Sequence, residues 1–285
     1  HVPWSCGDLS CPYSDILDVE EGPLMSRSEF LYKGFLSRLR HEPTPCQDNL
    51  LQKVAEFVST DDDDILVVNG YAGTGKTTAI SSVISTLKEY DVKCILMAPT
   101  GRSAKVLSSY AGQPAYTIHK QIYRQKSVGG DGFGQFSLAP NKAKDALFVV
   151  DEVSLIGIDT GQQQSSTSFG SGNLLDDLIS FVRSSAGCKV ILIGDSAQLP
   201  PVGLEASPAL LKDYMVMMGG TVFAELTTVV RQQSESGILH NATLLRQHIT
   251  EMENGPGLMD IVDLGLEVGQ FTDIERISGG ELIES

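Results

Sequence analysis

The sequence predicts an α/β fold built on a parallel sheet flanked by helices, and three observations predict it. From residue 44 onward, apolar strand-like runs alternate with helix-compatible stretches. A glycine-rich run, Gly70-Tyr71-Ala72-Gly73-Thr74-Gly75-Lys76-Thr77, joins the first of those strands to the helical stretch after it. A second apolar run, Leu147-Phe148-Val149-Val150, ends in the acidic pair Asp151-Glu152.

The elements follow in order. Met25 to Glu42 places Phe30, Leu31, Phe35, Leu36 and Leu39 on one face at helical spacing, so residues 25–43 are expected to hold an amphipathic helix. Strands are expected at 65–69, 93–98, 146–150, 189–194 and near 222–226, and helices at 75–89, 101–111 and 173–185. The runs 120–126 and 134–138 flank a glycine-rich turn and predict a β-hairpin within 120–140. Gly161 to Gly172, rich in Gln, Ser and Gly, reads as a loop. Asp61 to Asp64 reads as a solvated turn. Residues 1–24 combine Pro, Gly and acids without helical period and read as a flexible leader or extension.

At 285 residues and 41% apolar content the chain can bury a full core. No run reaches the roughly 18 apolar residues of a membrane span, and a cytoplasmic location is expected. The five cysteines lack the paired spacing of metal ligands, which points to reduced thiols, with Cys94 and Cys188 in the core. The net charge of −15 is uneven: residues 1–24 carry −5 and residues 251–285 carry −8, leaving −2 for the body. Residues 92–130 hold Lys93, Arg102, Lys105, Lys120, Arg124 and Lys126 with no Asp or Glu, interleaved with Tyr110, Tyr116, His119 and Tyr123. That mixture suits a surface that tracks a phosphate backbone while rings meet bases; the alternative is a solvated helix face beside core tyrosines.

The glycine-rich run has the strand-turn-helix context of a phosphate-binding loop. Gly70, Gly73, Thr74 and Gly75 let backbone N–H groups turn toward a β-phosphate, Lys76 reaches the β and γ oxygens, Thr77 offers a hydroxyl to Mg²⁺, and Thr78 continues the cradle. The cofactors expected are therefore ATP and Mg²⁺. Asp151 is placed for the Mg²⁺ shell and Glu152 for the attacking water.

A third strand runs into Gly194-Asp195-Ser196-Ala197-Gln198-Leu199-Pro200-Pro201-Val202. Taken with GYAGTGKTT, APTGRSAKVL, TIHK, VVDEVSLI and LTTVVRQ, this ordered set resembles the first motor domain of superfamily 1 DNA helicases, B branch, the RecD/Dda-like group, over residues 44 to 245. The resemblance implies a RecA-like P-loop NTPase that couples ATP hydrolysis to 5′→3′ movement on single-stranded or forked DNA. It implies roles for Gln47 at the adenine edge, Gln198 as γ-phosphate sensor and Arg231 in stabilising the transferring phosphate. It places Thr100 and His119 on the DNA track with the basic Arg102 and Lys105, and makes the 120–140 hairpin a strand-splitting pin with Phe133 at its tip. Residues 44–235 are then the first RecA-like domain and 236–285 the start of an incomplete second one. The second-domain motifs have no counterpart in residues 246–285, so the acidic tail from Glu251 is expected to be poorly ordered or packed opportunistically. The alternative is a nucleic-acid-binding ATP switch that unwinds nothing. A small-molecule kinase would explain Lys76 and Asp151 but not Gly194 to Val202.

Overall fold

A computed structural model describes residues 25–128, 134–157, 168–228, 236–254, 266–267, 269 and 271–274. In chain order the elements are α1 (Arg27–Ser37), α2 (Pro45–Ser59), β1 (Ile65–Gly70), α3 (Lys76–Glu89), β2 (Cys94–Ala98), α4 (Gly101–Ala111), β3 (Ala115–Thr117), α5 (Ile118–Ile122), β4 (Tyr123–Val128), β5 (Gly134–Leu138), β6 (Leu147–Val150), β7 (Ser168–Phe169), α6 (Leu174–Arg183), β8 (Lys189–Gly194), α7 (Lys212–Met218), β9 (Thr221–Leu226) and α8 (Gly237–Asn254).

Six strands form one sheet in the order β3-β2-β6-β8-β1-β9, and every pairing in it is parallel. A parallel sheet is covered on both faces, which is why its strands read as continuous apolar runs. Successive side chains go to opposite layers. Leu66, Val68, Leu147, Val149, Ile191 and Ile193 pack with α1, α2, α3 and α4, while Ile65, Val67, Phe148, Val150, Val190 and Leu192 pack with α5, α6 and α7. Each such side chain fully buried is worth about 1.5–3 kcal/mol. The parallel α/β sheet expected from the sequence is the one observed.

The helices differ from expectation at the N-terminal side. The amphipathic pattern to Glu42 gives a helix only to Ser37, capped at Arg38. A second helix, α2, is absent from the elements expected above: Thr44 and Gln47 close a capping box around Pro45 at the first turn, and Leu50, Leu51, Val54, Ala55 and Phe57 follow at helical spacing and are buried. The Asp61 to Asp64 turn is not simply solvated. Arg183 holds Asp64 by two hydrogen bonds of 2.5 and 2.8 Å and donates to the carbonyls of Met218 and Gly219, while Lys189 donates to the carbonyl of Asp63 at 3.0 Å. These contacts tie β1, α6, β8 and the entry to β9 together at the edge opposite the phosphate loop.

The hairpin is present as β4 and β5, antiparallel, with an irregularity between Gln125 and Ser127. Its turn, including Phe133, lies outside the described residues. The Gly161–Gly172 stretch is not all loop, because Ser168 and Phe169 pair in parallel with Gln135 and Phe136. Phe169 then stacks on Phe136 with ring centroids 4.6 Å apart and meets His119 edge-on at 5.1 Å, which fastens the hairpin to the body. Cys188 is buried and Cys94 half-buried, and burial pushes the Cys94 thiol up to about 12. Among the described residues, no helix is long and apolar enough to cross a membrane.

Among the described residues of the acidic tail, several pack against α8. Asn241 of α8 donates to the carbonyl of Glu267 at 2.7 Å and accepts from its N–H at 2.8 Å, and Asp273 accepts from Ser236 Oγ and the Gly237 N–H at 2.8 and 2.7 Å. An acidic side chain at a helix N-terminus takes up otherwise unpaired donors. The described residues from 266 to 274 are thus pinned to α8.

Candidate nucleotide site

Three neighbouring strands, β6, β8 and β1, end at the same edge of the sheet, the place where parallel α/β sheets bind ligands. The glycine run leaves β1, Asp151-Glu152 leaves β6, and Asp195 to Gln198 leaves β8. Register alone therefore brings together residues separated by more than a hundred positions.

The loop is built by its own backbone. Gly73 and Gly75 sit at φ of 79° and 81°, the left-handed region that favours glycine. A Cβ on Gly70 would stand 2.9 Å from Leu226 Cβ and 3.1 Å from Lys76 Cγ and Cδ, so the lysine stem passes only because no side chain is there. Thr74 is fully buried, its hydroxyl donating to the Tyr71 carbonyl at 2.8 Å. Gln47 is buried as well: its Oε1 accepts from the Thr44 N–H at 3.1 Å and its Nε2 donates to the Thr74 carbonyl at 2.9 Å. Its amide thus braces the phosphate loop, with one N–H left to give.

Lys76 Nζ donates to the carbonyls of Gly70 and Tyr71 and lies 3.6 Å from Asp195 Oδ2. Burial lowers its pKa, opposed by the charges of Asp195, Glu152 and Asp151. Asp195 Oδ2 is buried with no hydrogen-bond partner, while Oδ1 accepts from the Ala197 N–H at 2.9 Å. A buried carboxylate oxygen whose nearest charge is a lysine at 3.6 Å places opposite charges beside the phosphate loop, as functional sites do.

Glu152 has φ 59° and ψ 38°, a left-handed conformation that costs a non-glycine residue about 1–3 kcal/mol. It is held there. Its N–H donates to Asp151 Oδ1 at 2.9 Å, and buried Ser207 donates to the carbonyls of Val153 and Ile156 at 2.8 and 2.7 Å just beyond it. Burial first, then the charge of Asp151, raises its pKa above the ordinary glutamate value. Asp151 Oδ2 accepts from the Tyr110 hydroxyl at 2.6 Å. Gln198 Oε1 accepts from Ser154 Oγ at 3.2 Å, and Asn69 at the end of β1 exchanges two bonds of 3.0 Å with Ser196, which fixes this loop against the phosphate loop.

The result is a cleft of about 380 Å³ lined by His41, Tyr71, Gly73, Lys76, Thr77, Glu152 and Gln198, among others. Thr77 and Thr78 lie at its rim. A threonine hydroxyl and a carboxylate are hard oxygen donors, the set that Mg²⁺ takes beside substrate phosphates. Arg231 lies outside the described residues.

The other expected residues are farther from this cleft or differently employed. Arg102 and Lys105 are exposed on α4. Thr100 caps that helix, accepting from the Ser103 N–H at 3.1 Å. His119 is half-buried among Tyr123 and Phe169, and burial lowers its pKa. Two tyrosines expected on a base-stacking surface are turned inward: Tyr110 toward Asp151, and Tyr123 toward buried Asp177 at 2.7 Å. Tyr116 is exposed with Lys120 over its ring at 4.7 Å. Residues that sequence reasoning passes over are Asp195, inside a motif already quoted; His41, on the rim; and Arg246 of α8, whose guanidinium lies 5.0 Å from the Tyr71 ring centroid.

Fold and site together define a RecA-like P-loop protein of the nucleotide-using class. The family model described as an AAA domain matches residues 47–255, and the chain belongs to that family. The ATP-dependent RecD2 DNA helicase of Deinococcus radiodurans is 30% identical over 216 residues, covering 72% of this chain and 26% of that protein. The ATP-dependent DNA helicase dda of phage T4 is 30% identical over 220 residues, covering 73% of this chain and 42% of that one. Among solved structures, the Pif1 helicase of Candida albicans aligns with 78% of this chain and 50% of its own, at a TM-score of 0.42 and 16% identity, a likeness too loose to bear on function. The chain thus spans well under two thirds of the curated relatives it matches.

Proposed function

We propose that this chain is the first motor domain of an ATP-dependent 5′→3′ DNA helicase. One observation supports the reading above others: Lys76, Glu152 and Gln198, from three separate strand ends, line a single cleft with the phosphate loop. In this reading Gly70, Gly73, Thr74, Gly75 and Thr78 cradle the phosphates of ATP, and Gln47 supports the loop and the adenine side. Thr77 and Asp151 hold Mg²⁺, which when bound neutralises charge on the phosphates.

Lys76 exchanges its backbone carbonyls for phosphate oxygens, a substitution that costs little because those contacts are internal and the lysine is already desolvated. Glu152 orients the attacking water and takes its proton; a carboxylate of raised pKa is a stronger base for that step. Gln198, tethered to Ser154, senses the γ-phosphate, and Arg231 supplies transition-state charge. Thr100, Arg102, Lys105 and His119 form the DNA side, with Phe133 at the tip of the pin. Residues 44–235 constitute the first RecA-like domain, with the segment from 236 leading into a second.

Phosphate release from MgATP, with and without a single-stranded oligonucleotide, tests the reading. Release that the oligonucleotide accelerates supports it. A chain that binds nucleotide yet shows the same release with and without DNA contradicts the helicase assignment.

A further inference from the structure

Tyr110 belongs neither to the phosphate loop nor to any of the motifs quoted above, yet its hydroxyl makes the shortest contact to Asp151. It occupies the last turn of α4, half-buried, and its hydroxyl donates to Asp151 Oδ2 at 2.6 Å. Asp151 Oδ1 takes the Glu152 N–H at 2.9 Å, and the Asp151 N–H donates to the Met97 carbonyl at 3.0 Å. Each carboxylate oxygen therefore holds one internal donor, which fixes the carboxylate plane while leaving each oxygen lone-pair capacity. Tyr110 is itself anchored from the other side, its carbonyl accepting from Ser81 Oγ of α3 at 3.0 Å.

We propose that Tyr110 is a positioning residue for the metal carboxylate, its phenol setting the orientation in which Asp151 meets a magnesium–triphosphate. The inference rests on the phosphate-loop reading above and adds to it a residue from a different helix. The phenol is suited to the task. A phenol ordinarily keeps its proton until about pH 10, so at neutral pH it is a donor. Partners that orient a metal-binding side chain typically matter by about 10–100-fold in metal affinity. Tyr110 also lines a second cleft along α3, with Thr77, Thr78, Ser81 and Ser85, which shares Thr77 and Thr78 with the nucleotide cleft.

The test is Tyr110→Phe in the 285-residue chain, read by the affinity for a fluorescent ATP analogue across a Mg²⁺ titration that begins in EDTA. The ring remains, so thermal stability and metal-free affinity should stay near wild type. The Mg²⁺ concentration that gives half the metal-dependent gain should rise by about 10-fold. In an Asp151→Asn background the same change should have no further effect on that midpoint, since the partner it orients is gone. An unchanged or lower midpoint overturns the proposal, as does an equal drop in affinity with and without Mg²⁺ or an additive effect with Asp151→Asn. A wild-type chain that binds no nucleotide under either condition removes the phosphate-loop reading itself, which separates the two failures.

Discussion

Lys76 Nζ lies 3.6 Å from Asp195 Oδ2, an ion pair too long to be a hydrogen bond, in which the carboxylate is 1% exposed and the lysine 18%. The pair joins the end of β1 to the end of β8, where Lys76 also donates to the Gly70 and Tyr71 carbonyls and Asp195 Oδ2 has no donor of its own. A triphosphate would offer the lysine anionic oxygens in place of those two neutral carbonyls.

Lys76→Met should abolish nucleotide binding and also lower stability, because it strands the Asp195 charge. Breaking a fully buried pair costs about 3–5 kcal/mol, and the partial exposure of Lys76 makes that an upper bound. Adding Asp195→Asn should recover part of the stability without restoring binding. Chemical denaturation of the two variants checks this; equal stabilities would show that the pair is uncoupled.

Glu152→Gln should bind a fluorescent nucleotide about as well as wild type while its turnover falls by about 10²–10⁴-fold, the usual worth of a general base. Wild-type turnover in that variant would remove Glu152 from the catalytic role.

The same substitution has a pH signature in the nucleotide-free protein. The folded pKa of Glu152 is raised, so its contribution to stability is fully present below the unfolded glutamate pKa and is lost as pH rises through the folded value. Glu152→Gln should therefore melt higher than wild type at neutral pH, and the gap should close as pH falls toward the ordinary glutamate value of about 4.3. A gap that is constant with pH, or that widens in acid, contradicts the burial of a charged Glu152.

Arg102→Ala and Lys105→Ala should each weaken single-stranded DNA binding across sequences and flatten the salt dependence by about one unit for each phosphate no longer neutralised. Fluorescence anisotropy at several salt concentrations reads both quantities. Affinity indifferent to both changes would leave α4 as an ordinary solvated face.

How much of this is legible in the sequence follows from the range of the interactions. β1, the glycine run and α3 are local: their apolar run, positive-φ glycines and helical period follow one another without interruption from Ile65 to Glu89, and the structure places them as expected. Asp151 and Glu152 are legible because a buried strand ends at them. The helix α2 is written in the sequence, since Leu50, Leu51, Val54, Ala55 and Phe57 keep a helical spacing behind its capping box and proline, whereas the Ser168–Phe169 strand is hidden because two residues have no period at all. Tyr110 reads from the sequence as part of a base-stacking surface, since a contact across 41 positions leaves no mark on the spacing of either residue. The inward turn of Tyr123 onto Asp177, 54 positions away, is hidden for the same reason.

The central claim is that the cleft at the ends of β1, β6 and β8 hydrolyses ATP in response to DNA. The most direct measurement is phosphate release from MgATP by wild type and Glu152→Gln at matched nucleotide occupancy, each with and without a single-stranded oligonucleotide. Wild type should release phosphate slowly, and faster with the oligonucleotide, while Glu152→Gln should do neither. Release by Glu152→Gln at the wild-type rate, or a wild type that holds MgATP and never releases phosphate with DNA present, would contradict that claim.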